Sequence, residues 1–414
     1  MENQLLAQRQ RVFGQGSALF YAEPLTIIRG EGVELFDDAG KRFIDMYNNV
    51  PCVGHSHPHV VSEVSKQLGQ LNVHSRYLHE SILRYGERLT SLHHSGIESV
   101  VFSCTGTEAN EVALMTARAH TGGVGIVCTD AAYHGNSFAV RQLSRPSNNP
   151  HVRSIPFPES YRCEATNPCD FFIEKLEETI SGFAEDDIPF AGMLVCSLLA
   201  NEGLPNIPEG FMSKAVELVH RAGGVMIADE VQAGLGRSGH WWGYEVSDFI
   251  PDIVVMGKPI GAGIPLAATA ASRELVESFR KSTRYFNTFA SSPVQAAAGN
   301  AVLDVFENEN LLENVNKVGI QLAAGIRELG SDHPQVGDIR SHGLFIGIEW
   351  VKSSDSKEPD ARGAVVKVNE LKELGFLIGN AGAYGNVLKI RPPLVFSMKN
   401  AEDFLQALGH VLAH

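Results

Sequence analysis

Three places in this chain put a reactive side chain directly after a short apolar run. Residues 97–103 (IESVVFS) lead into Cys104-Thr105-Gly106-Thr107, and a helical pattern follows. Small hydroxyl residues and a glycine at a helix start make an anion cradle, with free N–H groups, the positive end of the dipole and two hydroxyls. Residues 224–228 (GVMIA) lead into Asp229-Glu230-Val231-Gln232. An acid at the end of a buried strand must be paired or solvated, and it can orient a cationic group of a ligand. Residues 252–256 (DIVVM) lead into Gly257-Lys258-Pro259-Ile260-Gly261-Ala262-Gly263. A lysine among small and apolar residues loses basicity on burial and becomes nucleophilic, as a Schiff-base lysine must. Each feature also has a plainer account: a helix cap, an ion pair within the protein, a lysine whose head reaches solvent. Together they match what pyridoxal 5′-phosphate needs: an anchor for its phosphate, a carboxylate for its ring nitrogen and an amine for its aldehyde.

The elements that must position these residues read as buried strands. Residues 125–129 (GIVCT) and 191–199 (AGMLVCSLL) join the three runs above. All five are nearly continuous in apolar character, which predicts strands covered on both faces, as in a parallel sheet between helices. Ligands of such sheets bind beyond the carboxyl ends of the strands. In the helix after Thr107, Ala109, Val112, Ala113, Thr116 and Ala117 share one face. Short strands with turn signals occupy residues 21–46. Residues 310–414 read as helix, strand, helix, strand and helix, the last capped by Asn400 with Glu402 and Asp403 in its first turn. The Pro-, Ser- and Asn-rich stretch 144–168 reads as a loop. We therefore expect an N-terminal arm and first part of a small domain at 1–54, a large domain at 55–305, and the rest of the small domain at 306–414.

Composition narrows the function further. The 414 residues carry 34 Lys and Arg against 48 Asp and Glu, a net charge of −14. That balance opposes binding to a nucleic-acid backbone, which gains its affinity from counterion release by cations. No apolar stretch of about 18 residues suggests a membrane span. The N-terminal segment lacks the apolar core of a signal peptide. The six cysteines are scattered without a C-x-x-C pair, which predicts free thiols in a reducing, cytoplasmic setting. Gly234-Leu235-Gly236-Arg237-Ser238-Gly239 fits G-x-G-x-x-G, but Asp229 to Ala233 separate it from its strand. It reads as a glycine-rich turn and not as a dinucleotide site. His55, His57 and His59 are interrupted by Pro58 and joined by no acid or cysteine at ligand spacing, so no metal is expected.

At this point the sequence resembles the class III aminotransferases, pyridoxal-phosphate enzymes of fold type I, from about Leu19 to the C-terminus. Residues 102–111 (FSCTGTEANE) look like the family's phosphate cup, and Tyr133-His134-Gly135 like its ring-stacking segment. Residues 228–239 (ADEVQAGLGRSG) and 252–263 look like its aspartate and lysine segments. Asn287-Thr288-Phe289 looks like the segment that reaches into a second subunit. Leu19-Phe20-Tyr21, Asn48-Asn49-Val50, residues 53–58 (VGHSHP) and 75–80 (SRYLHE) resemble a branch containing both ω-aminotransferases and amino-alcohol phospho-lyases.

The resemblance implies a mostly parallel sheet flanked by helices, plus a smaller α+β domain built from both chain ends. It implies that Lys258 bonds to the cofactor aldehyde and shuttles the proton, and that Asp229 keeps the ring nitrogen protonated. Gln232 would bond the ring hydroxyl, while Val231 and Tyr133 cover the two ring faces. Thr105, Gly106 and Thr107 would hold the phosphate, joined by Thr288 of the partner subunit, which makes the active unit a homodimer. His134 lies beside them. Two positions depart from the pattern. Cys196 stands where many members have a glutamate, and Lys389 where many have an arginine. The mobile arginine of another branch falls near Gly379-Asn380. Tyr21, Arg76, Lys389 and Arg391 are the remaining candidates for substrate contact; the plainer account of the three cations is an exposed surface.

The activity implied is transfer of an amino group from an amine or ω-amino acid to a keto acid, pyruvate or 2-oxoglutarate, by a ping-pong route through pyridoxamine phosphate. The alternative is a phospho-lyase acting on a phosphorylated amino alcohol. A non-catalytic binding or regulatory protein of the same fold is more remote, since both Lys258 and Asp229 are in place.

Overall fold

The computed structural model describes residues 4–144 and 147–413. The first three residues of the N-terminal segment, and Arg145 and Pro146 of the expected loop, lie outside the described residues. The chain opens with a helix, Gln4–Phe13, and three short antiparallel strands: β1 (Ile27–Glu31), β2 (Glu34–Asp37) and β3 (Arg42–Asp45). The central sheet then takes seven strands: β4 (Ser99–Ser103), β5 (Gly125–Thr129), β6 (Val152–Ile155), β7 (Phe190–Cys196), β8 (Val225–Asp229), β9 (Ile253–Met256) and β10 (Ala267–Ala271). Their order is β4-β10-β9-β8-β7-β5-β6. Only β10 runs against its neighbours. Strands β5, β8 and β9 are buried at every position, which is why they read as unbroken apolar runs.

Two strands of this sheet escaped the sequence reading. β10 is Ala-Ala-Thr-Ala-Ala, with no bulky β-branched residue to mark it. Its small side chains admit the helix Gly106–Thr121, and Thr269 Oγ1 donates to the Ala109 carbonyl at 2.7 Å. β6 lies inside the stretch expected to be a loop. It is an edge strand with a half-buried middle, so its apolar signal is only Val152 and Ile155.

The C-terminal part adds β11 (Val336–His342), β12 (Phe345–Trp350), β13 (Phe376–Leu377), β14 (Gly379–Ala381) and β15 (Val387–Ile390). The two strands expected there are thus five. β13 pairs in parallel with β3, so the two chain ends share one four-stranded sheet. β11, β12, β15 and β14 form another. The last helix is Met398–Leu412, and its cap is Ser397, not Asn400. Asn400 is the third helical residue, and its side chain returns to the Ser397 N–H at 2.9 Å in a capping box. No helix among the described residues is long and apolar enough to cross a membrane.

Candidate active site

Chain segments leaving β4, β5, β7, β8 and β9 converge beyond the carboxyl end of the large sheet. Gly106, Thr107, Tyr133, His134, Gly135, Cys196, Asn201, Asp229, Val231, Gln232 and Lys258 line one pocket there. The three sequence features therefore meet in space.

The phosphate cradle begins at Gly106. The Thr105 hydroxyl accepts from the Glu108 N–H at 3.2 Å, and the Glu108 carboxylate accepts from the Cys104 and Thr105 N–H groups at 2.7 and 3.1 Å. Thr105 thus serves the helix cap and does not line the pocket. Gly106 and Thr107 line it instead, at the start of a 16-residue helix. A Cβ on Gly106 would sit 3.1 Å from Val231 Cγ2. On Gly135, whose φ is +144°, a Cβ would sit 2.5 Å from Thr107 Oγ1. Replacing Gly135 with alanine should displace Thr107 at a cost of about 1–3 kcal/mol. We expect cofactor Kd, read by titrating the apoprotein, to rise roughly tenfold to a hundredfold; an unchanged Kd contradicts the cradle.

Asp229 ends β8 and is buried. Its Oδ2 accepts from His134 Nδ1 at 2.6 Å and from Asn110 Nδ2 at 3.1 Å. Its Oδ1 accepts from the Val231 N–H at 3.0 Å. Burial alone pushes this carboxyl up, but the His134 contact, the Val231 N–H and the Asn110 amide outweigh it and hold its pKa below the ordinary value. An ionised carboxylate only accepts hydrogen bonds, so His134 Nδ1 carries the proton. His134 Nε2 is buried without a partner. Asn110, absent from the sequence reading, is fully buried and also donates to the His134 carbonyl at 2.9 Å. Its signal was available: an amide on the otherwise apolar helix face.

Lys258 follows β9 and Gly257 with φ +37°, a strained value for a side-chain-bearing residue. Its Nζ has no hydrogen-bond partner among the described residues. Burial lowers its pKa and so does Arg391, against the opposing pull of Asp229 and Cys196. Tyr133 is 47% exposed at the pocket mouth, its hydroxyl accepting from Asn136 Nδ2 at 2.9 Å. Asn201, a second residue the sequence did not flag, donates to the Tyr133 carbonyl at 3.1 Å and accepts from Gln232 Nε2 at 2.9 Å.

The candidate substrate residues divide. Lys389 and Arg391 are buried, not exposed, and both donate to Gln232 Oε1. Tyr21 donates to the Ile378 carbonyl at 3.0 Å and does not line the pocket. Arg76 is exposed and stacks 4.3 Å from the ring centre of Phe286. Thr288 lies two residues on from Phe286, is exposed and does not line this chain's own pocket. His55, His57 and His59 each meet a different carboxylate: Asp45, Glu309 and Asp304. Residues 234–239 form turns and start no helix.

The donor set fits pyridoxal phosphate. An ionised carboxylate, an unpaired amine and a glycine-lined helix start face one pocket, and the glycines leave space that a Cβ would fill. Comparison with known proteins agrees. The family described as Aminotransferase class-III matches residues 20–412. A mitochondrial alanine–glyoxylate aminotransferase 2 homologue of Arabidopsis thaliana is 34% identical, covering 99% of this chain and 87% of its own. An ethanolamine-phosphate phospho-lyase homologue of Caenorhabditis elegans is 32% identical, covering 99% and 93%. The structure of an Arthrobacter phospholyase in complex with phosphoethanolamine superposes with a TM-score of 0.95 at 35% identity, covering 99% of both chains. This chain belongs to the class III aminotransferase family, and its cofactor is pyridoxal phosphate.

Proposed function

We propose that this chain moves an amino group from an amine or ω-amino acid to a keto acid such as pyruvate or 2-oxoglutarate, in two half-reactions. The observation that carries the reading is Asp229, held ionised by three donors in the same pocket as the unpaired amine of Lys258. The cofactor supplies an electron sink for the charge left when a proton leaves the substrate carbon. Asp229 would keep the ring nitrogen protonated, and His134 and Asn110 keep Asp229 ionised and aimed. Lys258 would bind the cofactor and then carry the proton, a task its lowered pKa suits. Tyr133 and Val231 would cover the ring faces, Gln232 would meet the ring oxygen, and the N–H groups of Gly106 and Thr107 would hold the phosphate. The same reading makes the enzyme a homodimer, with Thr288 of the partner subunit completing the phosphate site. It places the pocket in a large domain at 55–305 that the two chain ends flank. Six free thiols support a cytoplasmic setting.

A second reading, elimination of phosphate from a phosphorylated amino alcohol, is favoured by the 0.95 TM-score to the phospholyase complex. One experiment separates the two. An amine-donor panel should bleach the visible band of the loaded enzyme, and pyruvate or 2-oxoglutarate should restore it. Silence across the panel contradicts amino transfer. Release of phosphate and ammonia in equal amounts from phosphoethanolamine, without a keto acid, establishes the second reading.

A further inference from the structure

Gln232 is where three distant parts of the chain meet at the pocket wall. Its Oε1 accepts from Lys389 Nζ at 3.2 Å and from Arg391 Nη1. Arginine carries only donors, so the atom it meets is the oxygen and the carboxamide has one allowed orientation; burial beside Arg391 and Lys258 pushes the Lys389 pKa well down, and its amine keeps N–H donors in either protonation state. Gln232 Nε2 gives one hydrogen to Asn201 Oδ1. Its second hydrogen has no acceptor among the described residues, and Gln232 lines the pocket. The two basic side chains are fixed in turn. Lys389 Nζ donates to the Ala200 carbonyl at 2.5 Å, and Arg391 Nε to the Tyr47 carbonyl at 2.7 Å. Asn49 Nδ2 adds a bond to the Gln232 carbonyl at 3.1 Å.

We propose that Lys389 and Arg391 are positioning residues that pin the Gln232 carboxamide, so that it offers an N–H and never a carbonyl oxygen to the ring oxygen of the bound cofactor. The proposal rests on the pocket being the cofactor site with Gln232 at the ring oxygen. It holds for amino transfer and for phosphate elimination alike. An N–H there favours the ionised ring oxygen and competes with the lysine nitrogen's proton for it. The Arg391 cation disfavours that proton as well. Both effects lower the pH at which the visible band titrates. The charged and titratable groups facing Lys389 are Arg391, Cys196, Lys258 and Glu202, and those facing Lys258 are Asp229, Arg391 and Cys196. Removing Lys389 leaves all the others in place.

The test follows the visible absorbance of the cofactor-loaded protein against pH. Lys389→Met should raise the midpoint by about one to two pH units. Gln232→Leu should raise it similarly, and the double variant no further than either single one. Lys389→Arg, which keeps a donor, should return it towards wild type. Gln232→Glu gives an independent reading, because its carboxylate accepts from both Lys389 and Arg391 and offers the ring oxygen only acceptors; the midpoint should rise at least as far as in Gln232→Leu. A wild-type midpoint in both Lys389→Met and Gln232→Glu overturns the proposal, even if melting temperature falls, since that is all a merely structural role would change. A wild-type protein with no visible band that Lys258→Ala removes contradicts the cofactor reading itself.

Discussion

Replacing Lys258 with alanine should lower kcat by about 10^4-fold or more, since the variant loses both the group that binds the cofactor covalently and the base that moves the proton. The loss should be chemical, not structural. Lys258 Nζ makes no hydrogen bond among the described residues, so no partner is orphaned. Asp229 keeps its bonds to His134, Asn110 and Val231. Alanine at φ +37° is no more strained than lysine there. As apoproteins, variant and wild type should therefore melt within a few degrees of each other, while the visible band of the loaded protein disappears in the variant. Turnover within tenfold of wild type, with a normal melting temperature, contradicts the assignment.

Asp229→Asn should lower kcat by about 10^3-fold, a loss typical of removing one buried electrostatic group aimed at developing charge. Asparagine matches the shape but carries no charge to hold a ring nitrogen protonated. It also offers an amide where His134 Nδ1 and Asn110 Nδ2 now find an acceptor. The substitution has a signature in the apoprotein. Burial raises the Asp229 pKa, but the His134 contact and two further donors bring it below its unfolded value of about 3.9. A depressed carboxyl stabilises the fold above the unfolded pKa, and that contribution disappears as pH falls through the folded one. Wild-type apoprotein should therefore lose melting temperature below about pH 4 more steeply than Asp229→Asn. Parallel acid limbs contradict the three-donor account of this carboxylate.

The parts legible in the sequence are those whose cause is local. β5, β8 and β9 announce themselves because both faces are covered, so every residue must be apolar. Asp229 and Lys258 stand out as polar residues at the ends of such strands, where a parallel sheet places its ligands. The parts that stayed hidden depend on distant partners. β10 is alanine-rich because a helix packs against it, a reason visible only in three dimensions. Asn400 looked like a helix cap, but Ser397, three residues earlier, takes that position and Asn400 answers it. Lys389 and Arg391 follow Gln232 by 157 and 159 residues. Nothing around Leu388 or Pro392 says that these cations turn inward to an amide. Asn201 is similar: its role comes from Gln232 and the Tyr133 carbonyl, neither of them close in sequence.

Reduction of the loaded protein with borohydride, followed by peptide mass mapping, tests the central assignment most directly. The cofactor mass should appear on the peptide containing Lys258, and the same treatment of Lys258→Ala should leave every peptide unlabelled. Attachment at another lysine, or an unlabelled Lys258 peptide from protein that retains its visible band, would contradict it.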